Sequence, residues 1–118
     1  MNEKRKLGNF GEELATQYVK KLGYQILARN YFCRNGEIDI IAKDKIELVF
    51  IEVKTRTNQH FGPPIDAIDE RKRKHLLKTI AYYLYTHHLE NSFVRVDAIE
   101  VFQKQDGDYE IHHIKQIV

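Results

Sequence analysis

The 118-residue sequence predicts an α/β fold in which helices flank a mixed central sheet, in the order αβββαββ. Three patterns predict it. Apolar residues recur at three- and four-residue spacing in two segments, 3–22 and one ending near residue 88. Runs rich in β-branched and aromatic residues, bounded by turn residues, lie between and after those segments. One run, Leu48-Val49-Phe50-Ile51, is apolar on both faces, as a strand near a sheet centre must be.

The first helix carries the stripe Leu7, Phe10, Leu14, Ala15, Tyr18, Val19 and Leu22, and Gly23 ends it. Gly11 falls inside the stripe and Gly8 on its edge, where glycine costs roughly 1 kcal/mol relative to alanine. Close approach of the helix to a sheet is a reason to keep it. The same helical phase lets Glu12 lean over the sheet and turns Glu13 to solvent. Residues 24–31 form the first predicted strand, 30–36 a turn, 37–42 the second strand, 43–45 a turn and 46–55 the third strand. A loop is expected over 57–64, where Pro63 and Pro64 forbid a ladder, and Asp66 or Asp69 caps the second helix. Leu76, Leu77, Ile80, Ala81 and Leu84 form its stripe. Residues 93–102 and 108–117 are the last two strands, joined at Asp106-Gly107-Asp108.

A chain of this length is one domain, 1–118, burying roughly 65% of its unfolded surface. Its apolar fraction of 42% and charged fraction of 31% fit a globular protein. The net charge of +2 decides nothing about partners, but positive charge gathers in Lys4–Lys6, in Lys54–Arg56 and above all in Arg71–His75. The one cysteine, Cys33, cannot staple the fold and reads as a half-buried strand residue in a reducing compartment. No apolar run approaches the roughly 20 residues of a membrane span, and the charged start has no apolar signal core. A cytoplasmic protein, with no membrane partner, is the expectation.

The second and third strands carry Glu37, Asp39, Glu52 and Lys54 where inert strands would carry Val or Thr. Taking such groups out of water is costly unless they are paired or bind a cation. Residues two apart share a strand face, so Glu37 goes with Asp39 and Glu52 with Lys54. A two-residue turn at Asp44-Lys45 would pair Lys43 with Ile46, setting Glu37 beside Glu52 and Asp39 beside Phe50. A one-residue slip would put the two groups on opposite faces. Asp39 and Glu52 offer hard oxygens for Mg²⁺ or Mn²⁺, with Glu12 as a further carboxylate. Lys54 is placed to orient a water or balance charge on a phosphate. Lys72 and Arg73 start the second helix in line with its stripe and, with Arg56, are candidate phosphate contacts. Blander readings stand beside these: an edge hairpin laced with Glu–Lys pairs, and a solvated helix face over 71–75. His87-His88 and His112-His113 read as surface histidines, and Arg95 with Asp97 as a structural pair.

Gly8, Gly11-Glu12, Ala15, Gly23-Tyr24, Arg29-Asn30, Gly36–Asp39, Phe50–Arg56, Phe61-Gly62 and Lys72 together resemble the YraN-type uncharacterised protein family over nearly the whole chain. That family is placed in the PD-(D/E)XK restriction-endonuclease-like superfamily, with a functional likeness to archaeal Holliday-junction resolvases. The resemblance implies a restriction-endonuclease-like αβββαβ core, Asp39, Glu52 and Lys54 as the signature triad, and Glu12 as the helix carboxylate. Ile38 stands where the superfamily has a proline, and the C-terminal end, Ile114 to Val118, is shorter than the family's usual tail. The expectation is a metal-dependent nuclease acting on DNA, branched or single-stranded, with Glu37 in support. A junction-resolving role would call for two active sites and hence a homodimer. The rivals are a non-catalytic nucleic-acid-binding module and a protein-interaction partner of DNA-processing machinery.

Overall fold

The structure is a computed structural model that describes residues 3–57 and 69–118, with side chains from residue 8 onward. The expected loop at 57–64, Phe61-Gly62 and the alternative cap Asp66 lie largely or wholly outside the described residues; Thr57 is the last residue of a strand. The order is α1 (Glu3–Lys21), β1 (Gln25–Cys33), β2 (Gly36–Asp44), β3 (Glu47–Thr57), α2 (Glu70–Thr86), β4 (Phe93–Gln103) and β5 (Tyr109–Ile114).

The strands form one sheet in sequence order, antiparallel except for the parallel pair β3–β4 that α2 connects. This is the predicted mixed sheet with the αβββαβ core. Two cores lie on its two faces. On one, Ala15 and Val19 of α1 pack on Ile40, Ala42, Val49, Ile51, Ile99 and Val101. On the other, Leu76, Ile80 and Tyr83 of α2 pack on Ile38, Ile41, Leu48, Phe50 and Val96. The alternation along β3 explains this: Val49 and Ile51 face α1, Leu48 and Phe50 face α2.

Gly11 is the point of closest approach between α1 and β3. A Cβ there would stand 1.9 Å from Thr55 Oγ1, so only glycine fits. Gly8 meets nothing within 4 Å among the described residues, and its place in the helix has no packing reason there. Asp69, not Asp66, caps α2: its Oδ1 accepts from the Lys72 N–H at 2.8 Å.

Three boundaries differ from expectation. Strand β1 runs on to Cys33, past Asn30, which takes a φ of 51° inside the strand rather than starting a turn. The β2–β3 turn is Lys45-Ile46, not Asp44-Lys45, with Asp44 paired to Glu47. Lys45 takes the left-handed φ of 58° that primed hairpin turns demand, without a glycine. Finally, β5 ends at Ile114.

Candidate active site

The turn shift moves the β2–β3 register by two residues. Ile40 pairs with Ile51, so the same register carried one step further sets Asp39 beside Glu52. The expected pairing of Asp39 with Phe50 is therefore corrected. A two-residue shift preserves the face, so the two carboxylates remain on one side.

The ladder between β2 and β3 stops at Ile40. Beyond it β2 parts from β3 while staying paired to β1 down to Gly36. Ile38 and Ile40 are two apart yet belong to opposite cores, so the strand turns over at Asp39. Asp39 sits at the fork. Its Oδ2 accepts from the Val53 N–H at 2.8 Å, filling the place of a backbone acceptor that departing β2 no longer offers.

The fork opens into a cleft of about 470 Å³. Glu37, Asp39, Glu52 and Asp69 contribute its acids; Arg71, Lys72 and His75 form a basic wall on α2; Leu76 and Thr79 complete the α2 side. Lys72 Nζ stands 3.9 Å from Glu52 Oε2. Burial pushes the Glu52 carboxyl up to about 8; the Asp39 charge adds to this and Lys72 opposes it. Asp39 is also raised, by burial first, against the Val53 hydrogen bond that holds it down. Glu12 reaches the same field from α1. It is raised by burial and then by Asp39, with Arg29 opposing at 3.8 Å, and its Oε1 is buried without a hydrogen-bond partner. Glu13, its neighbour, faces solvent as the helical phase predicted, and it pairs with Arg29 at 2.8 Å.

The other predicted site residues fall in distinct places. Lys54 is exposed and adjoins the cleft rather than lining it, yet its charge lowers both Asp39 and Glu52. Arg56 is nearly buried and ion-paired with buried Glu100 at 2.6 Å. Arg73 lies outside the described cleft lining, with Glu70 at 4.0 Å. Arg71 and His75 take the place the sequence reading gave to Arg73, because they share the helix flank of Lys72. That basic cluster was visible in sequence; the flank was not.

Among the described residues, no three His, Cys, Asp or Glu side chains form a ready-made metal set. The residues able to hold a cation are the pair Asp39 and Glu52. Two carboxylates are what Mg²⁺ commonly takes from a protein, with water and substrate oxygens completing the shell. The desolvated excess of negative charge and the orphaned Glu12 oxygen suit such an ion.

Fold and site define a class: an α/β domain with an αβββαβ core whose sheet forks into an acidic cleft faced by a basic helix. The chain belongs to the uncharacterised protein family UPF0102, whose model matches residues 11–101. It is 46% identical over 99 residues to a UPF0102 protein of Caldicellulosiruptor saccharolyticus, covering 84% of each chain. It is 44% identical over 115 residues to one of Carboxydothermus hydrogenoformans, covering 98% of this chain and 97% of that one. A third, from Clostridium botulinum, is 47% identical over 111 residues, covering 92% and 90%. Among the described residues, no helix is long and apolar enough to cross a membrane.

Proposed function

We propose that this protein is a divalent-metal-dependent phosphodiesterase acting on DNA. The observation that carries the reading is the placement of Asp39 and Glu52 side by side at the fork, both desolvated, both raised, and faced by Lys72. Nothing in a purely structural hairpin requires that arrangement, which costs stability until a cation arrives. Asp39 and Glu52 would hold Mg²⁺ or Mn²⁺ in this reading, and the ion would supply Lewis-acid chemistry, polarising a phosphate and easing the deprotonation of a water. The Val53 N–H fixes the Asp39 carboxylate. Lys54 stands beside the pair to orient the water and to balance charge gathering on phosphate. Arg71 and Lys72 take the flanking phosphates on the opposite wall. Glu12 and Glu37 deepen the negative field that draws the ion in. The cytoplasm is the proposed compartment, and a homodimer is the assembly that cutting two strands would require.

One observation favours a second reading, a DNA-binding module that does not cut: no complete ligand set is preassembled among the described residues. Calorimetric titration with Mn²⁺ and incubation with labelled DNA separate the two. The phosphodiesterase reading expects heat that Asp39→Ala abolishes, and cleavage that Lys54→Ala loses. DNA binding with neither heat nor cleavage would replace it with the second reading.

A further inference from the structure

Past the end of the β2–β3 ladder, residues 30–39 stand off the sheet as a two-stranded arm. One face of the arm is fixed on α2. Tyr31 packs edge-on against Tyr83 at 5.1 Å, and a Cβ on Gly36, whose φ is 148°, would come within 3.2 Å of Thr79 Oγ1. Among the described residues, the other face is open. It carries Phe32 and Glu37, which are ladder partners. Phe32 is 76% exposed, the highest among the large apolar side chains described. An aromatic ring thus stands on water within about 5 Å, Cβ to Cβ, of a cleft carboxylate.

The charges around the ring select what covers it. An apolar protein surface laid over Phe32 would strip water from Glu37 with no cation to replace it. A nucleobase would not: it offers a flat π-face to the ring, keeps its polar edge wet, and carries its phosphates away from Glu37. Cations wait on both sides, exposed Arg34 at the arm's tip and Arg71 and Lys72 across the cleft.

We propose that Phe32 is a stacking platform for an unpaired base of a nucleic-acid strand whose phosphates run between Arg34 and the Arg71–Lys72 wall. A base inside a duplex already has both faces stacked, so the platform selects single-stranded or unpaired substrate. The proposal rests on the reading of the cleft as a DNA site.

The test is fluorescence anisotropy with a labelled single-stranded oligonucleotide and with the same sequence as a blunt duplex, in EDTA so that nothing is cut. Phe32→Ala is expected to weaken single-strand binding about tenfold and leave duplex binding unchanged, while Phe32→Trp retains wild-type affinity. An unchanged urea midpoint for Phe32→Ala certifies the fold. No loss on the single strand, or equal loss on both probes, overturns the stacking platform and leaves the cleft reading standing. Wild type that binds neither probe removes both.

Discussion

Two clusters of buried charge sit on one sheet and end in opposite states. The first lies on the α1 face, toward the β2–β3 hairpin. There Arg95 is 6% exposed and binds Asp97 through two nitrogens, at 2.9 and 3.0 Å. Asp44, Glu47 and the Tyr24 hydroxyl take its remaining donors. His113 donates from Nε2 to Asp97 at 2.7 Å, and its Nδ1 meets the Tyr18 hydroxyl at 3.3 Å. With these partners the Asp97 carboxyl falls below its usual range, although burial pulls it upward. The second cluster is Glu12, Asp39 and Glu52 at the fork, where acids outnumber cations and every one of the three is raised. Asp97 is fully buried and Glu52 keeps 17% side-chain exposure, yet it is Glu52 that is raised and Asp97 that is lowered, so pairing decides the difference. A closed hydrogen-bonded network serves the fold, whereas a carboxylate pair left hungry for positive charge serves a ligand.

The comparison breaks first on stability. Asp97→Ala removes the hub of a satisfied network and leaves the Arg95 guanidinium buried with its best partner gone. A loss of about 3–5 kcal/mol is expected in urea denaturation. A loss under about 1 kcal/mol would erase the distinction between the clusters.

At the fork the sign reverses. Glu52 has a folded pKa of about 8 against an ordinary 4.5, so its contribution is fully present below pH 4.5 and is lost as pH rises toward 8. Glu52→Gln is expected to leave stability near pH 4 unchanged and to raise it by about 1–3 kcal/mol at pH 8 without divalent ions. Urea midpoints across that window read the effect directly. Asp97 runs the other way: lowered in the fold, it loses its contribution as pH falls through the acid range. A Glu52→Gln protein that is less stable than wild type at pH 8 would mean that the acid is satisfied after all.

Much of this was legible in the residues because period-two alternation survives small errors. Glu52 and Asp39 share a side under either turn, and the doubly apolar run over 48–51 could only be central. Gly11 announced the contact with β3 by its cost in a helix. The misses have physical causes. Lys45 adopts a left-handed φ that its type disfavours, so the turn was misplaced by one residue at each end. Asn30 has the chemistry of a turn residue but is absorbed as an irregularity within β1. The reversal of β2 at Asp39 leaves no mark in an alternating string. His113 has the sequence context of a surface histidine, yet its side chain is only 5% exposed. Its spacing from Ile111 placed it on the core face, and only the register with β4 reveals Asp97 beneath it.

The smallest expected effect sharpens the contrast most. Among the described residues, Arg29 is the cation that pairs with Glu12, yet it is about one-third exposed and bonds more closely to Glu13, at 2.8 Å against 3.8 Å. Exposed pairs of this kind contribute under about 1 kcal/mol, so Arg29→Ala is expected to leave the urea midpoint almost unmoved. It removes a charge that holds the Glu12 carboxyl down, so the Glu12 titration followed by NMR moves upward. Removing a cation from the satisfied cluster costs stability, whereas at the fork it changes protonation and little else. A large stability loss in Arg29→Ala would place Glu12 with the structural acids, and the fork would keep only Asp39 and Glu52.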